Sequence, residues 1–436
     1  MRNTAHNPPP MSLPVSSVLP TSSPAVTLPA DTVRAAALQG SATRLRDAAG
    51  RAAALQAWAA LSSGLDLRFF HTEAWLRGWL EQLPMDTPLW LLQATRDDRC
   101  VGLGFVARGA ARRLGPLPFA PCWHLQGDGS ALDAICVEYN DWLVDPAAGA
   151  GARAVLVDQW RRLGSGAREL HLTNLAEPPV GHRWADLLQP AAPARPLAVL
   201  QHEKPSFSID LQRVRDAGGD LLTLCSANLR SQVRRTLKAY GELGAVQLDV
   251  APDTATALQW LDRLAALHQA HWQARGEPGA FVEPAFIAFH RGLVERCGVD
   301  PAAATHVQLL RLTAGAHEVG YLYNLVHGGR IHFYQSGLDF SIGGKHARPG
   351  YAAHVLAVAL NARLGHAEYD FLMGESRYKR DLATDVRAMH TVVLQTGGWR
   401  FAGERLLRRL RDARRQAKAA AVASQPTAST PTADSP

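Results

Sequence analysis

The residues best suited to chemistry gather in two nearby stretches, SIGGKHARPGYAAHVL and EYDFLMGESRYKRDL. In the first, Pro349 suits the opening position of a helix, which leaves the amides of Gly350, Tyr351 and Ala352 among the donors the helix cannot satisfy itself. The helix dipole adds positive potential there, Lys345 and Arg348 add charge, and Gly343 and Gly344 allow backbone to approach a ligand closely. That combination describes a pyrophosphate cradle, against the plainer reading of a capped helix after a loop. In the second stretch Asp370 falls in a strand, Gly374 and Glu375 at a strand-to-helix turn, and Tyr378 and Lys379 in the first turns of a helix. Open α/β sheets bind ligands at such strand ends. A tyrosine there can protonate a leaving thiolate, and a lysine can neutralise a phosphate or an oxyanion.

Strand alternation sets His332, Tyr334 and Ser336 on one face of RIHFYQSGL, which makes His332 a candidate general base, although a polar face on a half-exposed sheet explains the pattern as well. His268 and His271 share a helix face, yet no third ligand lies at a telling spacing, so no metal site is expected. The letters of VGLGFVA fit a dinucleotide fingerprint, but the run reads as a strand and no helix opens at its glycines. No Walker A sequence is present.

The elements that must position these residues follow from periodicity. After THVQLLRLT, EVGYLYNLVH and RIHFYQSGL, joined at TAGAH and HGGR, an antiparallel meander is expected. A helix from Pro349 to Arg363, a strand EYDFLMG, a short helix and a strand VRAMHTVVLQT come next, and a basic helix SANLRSQVRRTLKAYGELG, a strand VQLDV and two amphipathic helices come before. Upstream, a helix from about residue 66 precedes strand-like runs PLWLLQATR, CVGLGFVAR and AICVEYNDWLV, a helix Ala154 to Leu163 and a strand ELHLTNL. The Pro-rich LLQPAAPARP suggests a boundary near residue 200. The resulting plan is a tail over 1–45, a first domain over 46–200, a second over 201–404 and a basic helix with a tail over 405–436, both tails being too polar to bury a core.

With 436 residues, 47% of them apolar, the chain has material for two ordinary domains. No apolar run reaches the roughly 18 to 20 residues of a membrane span, and no signal segment is evident, so a cytoplasmic protein is expected. Five scattered cysteines without a CxxC pair indicate neither a disulfide framework nor a zinc ribbon. The net charge of +7 is concentrated between Arg405 and Lys418, a pattern more often a solvated helix face than a nucleic-acid contact.

The element order resembles the GNAT acyltransferase fold. NLRSQVRRTLKAYGELG, HQAHWQARGEPGAF, the strand ending YQSGLD, and YDFLMGESRYKRDL are together similar to the CelD/BcsL-type branch of that superfamily, associated with cellulose or polysaccharide production. The resemblance implies an α/β fold with a mixed sheet, built as two tandem GNAT-like halves of which the first is degenerate, a layout shared with Fem-type aminoacyltransferases. It implies acetyl-CoA as co-substrate, without a metal, and an amine or hydroxyl acceptor in polysaccharide or cell-envelope metabolism, with the polysaccharide-synthesis machinery as a partner. The cofactor would rest on Gly343, Gly344, Lys345, Arg348, Gly350, Tyr351, Ala352 and Lys379, and Tyr378 would be the thiolate acid, beside His332, Glu375 and Asp370. The chain departs from the superfamily loop at Ala347, where an Arg or Gln is usual. An aminoacyl-tRNA donor, met by Arg230, Arg234, Arg235 and Lys238, therefore stays open, as does a non-catalytic acyl-CoA-binding scaffold.

Overall fold

The computed structural model describes residues 37–114, 117–164, 168–191, 197–398, 401–404, 406 and 413. The first part of the chain runs β1 (Gln39–Arg44), α1 (Ala48–Ser62), α2 (Glu73–Gln82), β2 (Leu89–Arg96), β3 (Arg99–Arg108), β4 (Arg112–Leu114), β5 (Leu117–Ala120), β6 (Cys122–Leu125), β7 (Leu143–Val144), α3 (Gly149–Arg162), β8 (Glu169–Leu175) and α4 (Trp184–Leu187). The second runs β9 (Ala198–Asp210), α5 (Leu211–Asp216), α6 (Ala227–Gly241), β10 (Val246–Val250), α7 (Thr254–Gln273), α8 (Pro284–Cys297), β11 (Thr305–Ala314), β12 (His317–His327), β13 (Arg330–Leu338), α9 (Pro349–Arg363), β14 (Glu368–Met373), α10 (Arg377–Leu382) and β15 (Asp385–Gln395).

Local chemistry explains the clean boundaries. Asp253 caps α7 by accepting from Thr256 N at 2.7 Å, Ser226 caps α6 through Leu229 N, and Pro349 and Pro284 open their helices. The β12–β13 turn needs two residues at positive φ, which Gly328 and Gly329 supply at 55° and 74°.

Thirteen strands form one mixed sheet in the order β1-β2-β3-β6-β8-β15-β9-β14-β13-β12-β11-β10, with β7 alongside β3, while β4 and β5 make a separate hairpin. Each half contributes an antiparallel quartet and then, after a helix, a parallel fifth strand: β8 beside β6 after α3, and β14 beside β13 after α9. The last strands are exchanged. β9, which follows the first half, pairs with β14, and β15, which follows the second, pairs with β8. The two then pair with each other from Asp385↔Ser208 to Gln395↔Ala198. From Leu38 onward the described chain is accordingly one compact unit, and the boundary expected near residue 200 falls inside β9.

Helices α1, α2, α7 and α8 bury one face of the sheet, where Trp75 of α2 meets Phe289 of α8 edge-on at 4.8 Å. The other face carries α3 and α4 over the first half and α5, α6 and α9 over the second. Strand alternation serves both layers, since Leu309 of β11 points to the first core and Leu310 to the other.

Two expectations need correction. Residues 39–44, assigned to the tail, form β1; the run QGSATR is exposed throughout and pairs with β2 through its main chain, with Arg44 over the Trp90 ring at 5.3 Å, so no apolar alternation marks it. AICVEYNDWLV contributes only the two residues of β7, and α1, capped by Asp47, precedes the helix expected from residue 66. The basic helix expected after Glu404 lies outside the described residues except for Leu406 and Ala413. The glycines of VGLGFVA do sit in a strand, and Gly104 is required by packing: a Cβ there would meet the Trp142 ring at 2.0 Å.

Candidate active site

Strands β13 and β14 pair only from Arg330↔Glu368 to His332↔Asp370 and then separate. The β12 register skips Tyr334, a bulge that bends β13 away, and Leu372 takes φ 62° as β14 turns toward β9. A cleft of about 840 Å³ opens in the resulting V. Its walls include Phe333 to Ser336 on one strand, Phe371 to Gly374 on the other, the start of α9, and Cys136 and Glu138 from the first half.

The start of α9 faces this cleft. Among the described residues the amides of Gly350 and Tyr351 have no acceptor within the chain, while Ala352 N already donates to Arg348 O at 3.2 Å. The helix start therefore offers two donors, and Ala352, fully buried, is a correction to the expected three. Gly350 lines the wall, and a Cβ there would find only Leu338 Cδ1 at 3.6 Å. Arg348 lies at the rim, its own amide held by Thr236 Oγ1 at 3.2 Å, and with Arg235, His346 and Arg377 it surrounds an adjoining side pocket of about 240 Å³. Two amides at a helix start, no side chain in the way and three guanidinium groups close by fit a diphosphate.

Gly343, Gly344 and Lys345 do not reach the cleft wall. Gly343 is needed for a different reason: its φ is 79° and a Cβ would lie 2.6 Å from the Tyr240 ring. Tyr351 presents its amide to the cleft while its hydroxyl donates to Asp381 Oδ2 at 2.6 Å.

Tyr378, Lys379 and Glu375 do line the cleft. The Tyr378 ring stacks on His354 of α9, centroids 5.0 Å apart and planes within 3°. Burial pushes the phenol well up, so it stays protonated at neutral pH, and burial pulls His354 down to about 3, so the imidazole beneath is neutral. His354 Nδ1 is held at 3.1 Å from the Tyr369 hydroxyl. Lys379 does not face the α9 start; its ammonium donates to Leu372 O at 3.3 Å and Met373 O at 2.9 Å. Glu375 is exposed at the rim, 3.9 Å from Arg380.

His332 and Asp370 lie off the cleft. His332 is fully buried, its Nδ1 3.2 Å from Leu325 O, because the strands are still paired at that position. Asp370 is a structural hub: it accepts from Leu372 N at 2.8 Å and from the Tyr139 hydroxyl, with Arg68 3.9 Å away. Arg68 continues the network to Glu368 at 2.6 Å, and Arg387 also reaches Glu368. The sequence reading missed Glu138. Its only signal was four polar or aromatic residues, EYND, interrupting an otherwise apolar run.

His268 and His271 do not converge on a common point: His268 Nδ1 meets Ser336 O at 3.1 Å and His271 stacks on Phe340 at 4.4 Å. Cys122, Glu169 and His171 do gather within 4.8 Å, but the Glu169 carboxylate is already taken by Arg112 at 2.8 Å and Gln395 at 2.6 Å.

Residues 227–380 match the acetyltransferase (GNAT) domain. The GNAT match thus spans α6 to α10, the cleft's second-half walls included. No curated protein matches the chain. Among solved structures, FemX is similar at 9% identity over 78% of this chain and 95% of its own, with a TM-score of 0.48. The C-terminal domain of a protein named as a lysylphosphatidylglycerol synthetase from Agrobacterium fabrum is similar at 11% identity over 80% and 92%, TM-score 0.47. A tandem GNAT protein from the clavulanic acid biosynthesis pathway is similar at 12% identity over 81% and 98%, TM-score 0.39. Among the described residues no helix is long and apolar enough to cross a membrane.

Proposed function

We propose that the protein is an acyltransferase that takes an acetyl group from acetyl-CoA and delivers it to an amine or hydroxyl of polysaccharide or cell-envelope metabolism. The observation that carries this reading is that the free amides of Gly350 and Tyr351 and the protonated Tyr378 open onto one cleft between splayed strands. When bound, acetyl-CoA supplies an activated thioester whose sulfur is the leaving group. The two amides hold the diphosphate, with Arg348 and Arg377 neutralising its charge. The β13 edge beyond His332, unpaired toward β14, offers main-chain groups to align and polarise the acyl carbonyl. Tyr378 holds the proton the sulfur needs, and its stack on His354 fixes where that proton is delivered. Exposed rings of Trp272 and Phe340 at the mouth supply flat faces suited to a sugar-bearing acceptor.

A titration of the full chain with acetyl-CoA by calorimetry tests the donor. Saturable binding that Gly350→Leu abolishes is the expected result, since the leucine fills the space before the two amides with little to clash against in the fold. Absence of binding to folded wild type rejects acetyl-CoA.

A second reading, an aminoacyl-tRNA donor, draws on the exposed face of α6, where Arg230, Arg234, Arg235 and Lys238 line one groove without an acidic ion-pair partner among the described residues. It requires tRNA binding that weakens steeply with salt and is lost when Arg234 and Arg235 are neutralised.

A further inference from the structure

We infer that Glu138, delivered by the first half of the chain, is the general base of this cleft and takes the proton of the attacking acceptor. The inference rests on the acyltransferase reading above and assigns to the first half a direct part in the chemistry.

The loop between β6 and β7 enters a cleft otherwise built by the second half, and only Ala134, Cys136 and Glu138 of that loop line it. Glu138 is 5% exposed. Its Oε2 accepts from Met373 N at 2.8 Å, on the strand that forms one arm of the V, and its Oε1 takes no hydrogen bond from any described residue. One carboxylate oxygen is thus anchored and the other is left for a ligand. The loop is pinned next door: Tyr139 sits at φ 55°, its hydroxyl donates to Asp370 and its ring lies under the Arg68 guanidinium at 4.6 Å. A non-glycine residue held in the left-handed region beside a cleft residue marks a position fixed at a cost in backbone strain.

The other titratable groups of the cleft are occupied or misplaced. His268 uses Nδ1 toward Ser336 O and accepts from Ala280 N at 3.3 Å through Nε2, and His271 lies against Phe340 with its Nε2 3.1 Å from the Arg275 guanidinium. His354 is covered by Tyr378 and tied to Tyr369, and Glu375 is out at the rim. Burial pushes Glu138 up to about 8, and Asp370 adds to this, while the Met373 amide and Lys379 oppose it. The remaining neighbours are Cys136 on its own loop and Tyr334 on β13, whose phenol burial keeps protonated at neutral pH. A carboxylate with raised proton affinity is a stronger base than an exposed one, and near neutral pH a useful fraction is ionised.

The step balances without a co-reactant. The acceptor N–H or O–H gives its proton to Glu138 Oε1 as the new C–N or C–O bond forms. The C–S bond breaks, and the sulfur takes the Tyr378 proton. Glu138 then releases a proton to solvent and Tyr378 regains one.

The test measures free thiol released from acetyl-CoA between pH 6 and 10, with glucosamine as the probe acceptor at constant free-amine concentration, alongside calorimetric Kd for acetyl-CoA. Wild type should show a rate that rises through about pH 8. Glu138→Gln, which keeps an oxygen for Met373 N, should lower it about 100-fold or more and erase that limb with Kd unchanged, and Glu138→Asp should recover part of the rate. A Glu138→Gln variant with the wild-type rate and limb overturns the inference, as does a wild type that binds acetyl-CoA and releases no thiol at any pH. A wild type that fails to bind acetyl-CoA instead removes the donor reading itself.

Discussion

Glu138 and Lys379 hold the same residue by its two ends: the carboxylate accepts from Met373 N at 2.8 Å, and the ammonium donates to Met373 O at 2.9 Å. One comes from the first half of the chain and the other from α10 in the second, so the wall of the cleft is set by a contact neither half can make alone. Burial lowers the Lys379 pKa, which Glu138, Asp370 and Cys136 counter. The lysine is thus placed to tune Glu138 and to hold the strand end, rather than to meet a phosphate at α9.

Lys379→Met removes the charge that favours ionised Glu138. The alkaline limb of the rate profile should therefore move upward, by on the order of one pH unit. A pH–rate series on the variant reads this directly, and a limb that stays in place would show that the two groups do not communicate. Acetyl-CoA affinity should change little, because Lys379 is directed at β14 and not at the two free amides.

Tyr378→Phe tests the acid. The ring stack on His354 survives the loss of a hydroxyl, so folding and acetyl-CoA binding should be kept while turnover falls by about 100-fold. The loss should be in kcat. An equal rise in KM with kcat unchanged would make Tyr378 a binding residue only.

The second half of the fold was readable in the sequence because its elements obey local rules: prolines opening α8 and α9, capping residues before α6 and α7, glycines at the hairpin turn, and periodicity that changes from 2 to 3.6 at the right places. The start of α9 and the Tyr378 helix were readable for the same reason. What escaped notice depends on long-range contacts. β1 has no apolar pattern because it is an exposed edge, and the exchange of β9 with β15 leaves no local trace. Glu138 meets Met373 across 235 positions of sequence, and nothing near residue 138 announces that partner. His332 and Asp370 had suitable chemistry and correct strands, but the splay starts just beyond their pairing, which leaves both inside the core. Gly343 looked like a cradle residue and is in fact explained by the Tyr240 ring.

Asp370→Ala should separate a structural carboxylate from a catalytic one. The change strands the Leu372 amide and the Tyr139 hydroxyl, and it leaves Arg68 with Glu368 alone. Each buried group left unpaired costs about 1–3 kcal/mol, so the urea midpoint should fall markedly. A variant of wild-type stability with no activity would instead return Asp370 to the chemistry.

Acid should destabilise the fold through three histidines. His290, His332 and His354 are fully buried and burial holds each at about 3, against an unfolded value near 6.5. Between those values the unfolded chain binds protons that the folded chain refuses, so stability is present above the unfolded pKa and is lost as pH falls. Each should cost about 2 kcal/mol on going from pH 7 to pH 5. The loss cannot be relieved locally, because the Nε2 atoms of His290 and His332 are buried without a partner and have no acceptor to meet an added proton. Calorimetric Tm should therefore drop steeply over that interval. A Tm that holds constant down to pH 5 would mean that these rings accept protons without leaving the core.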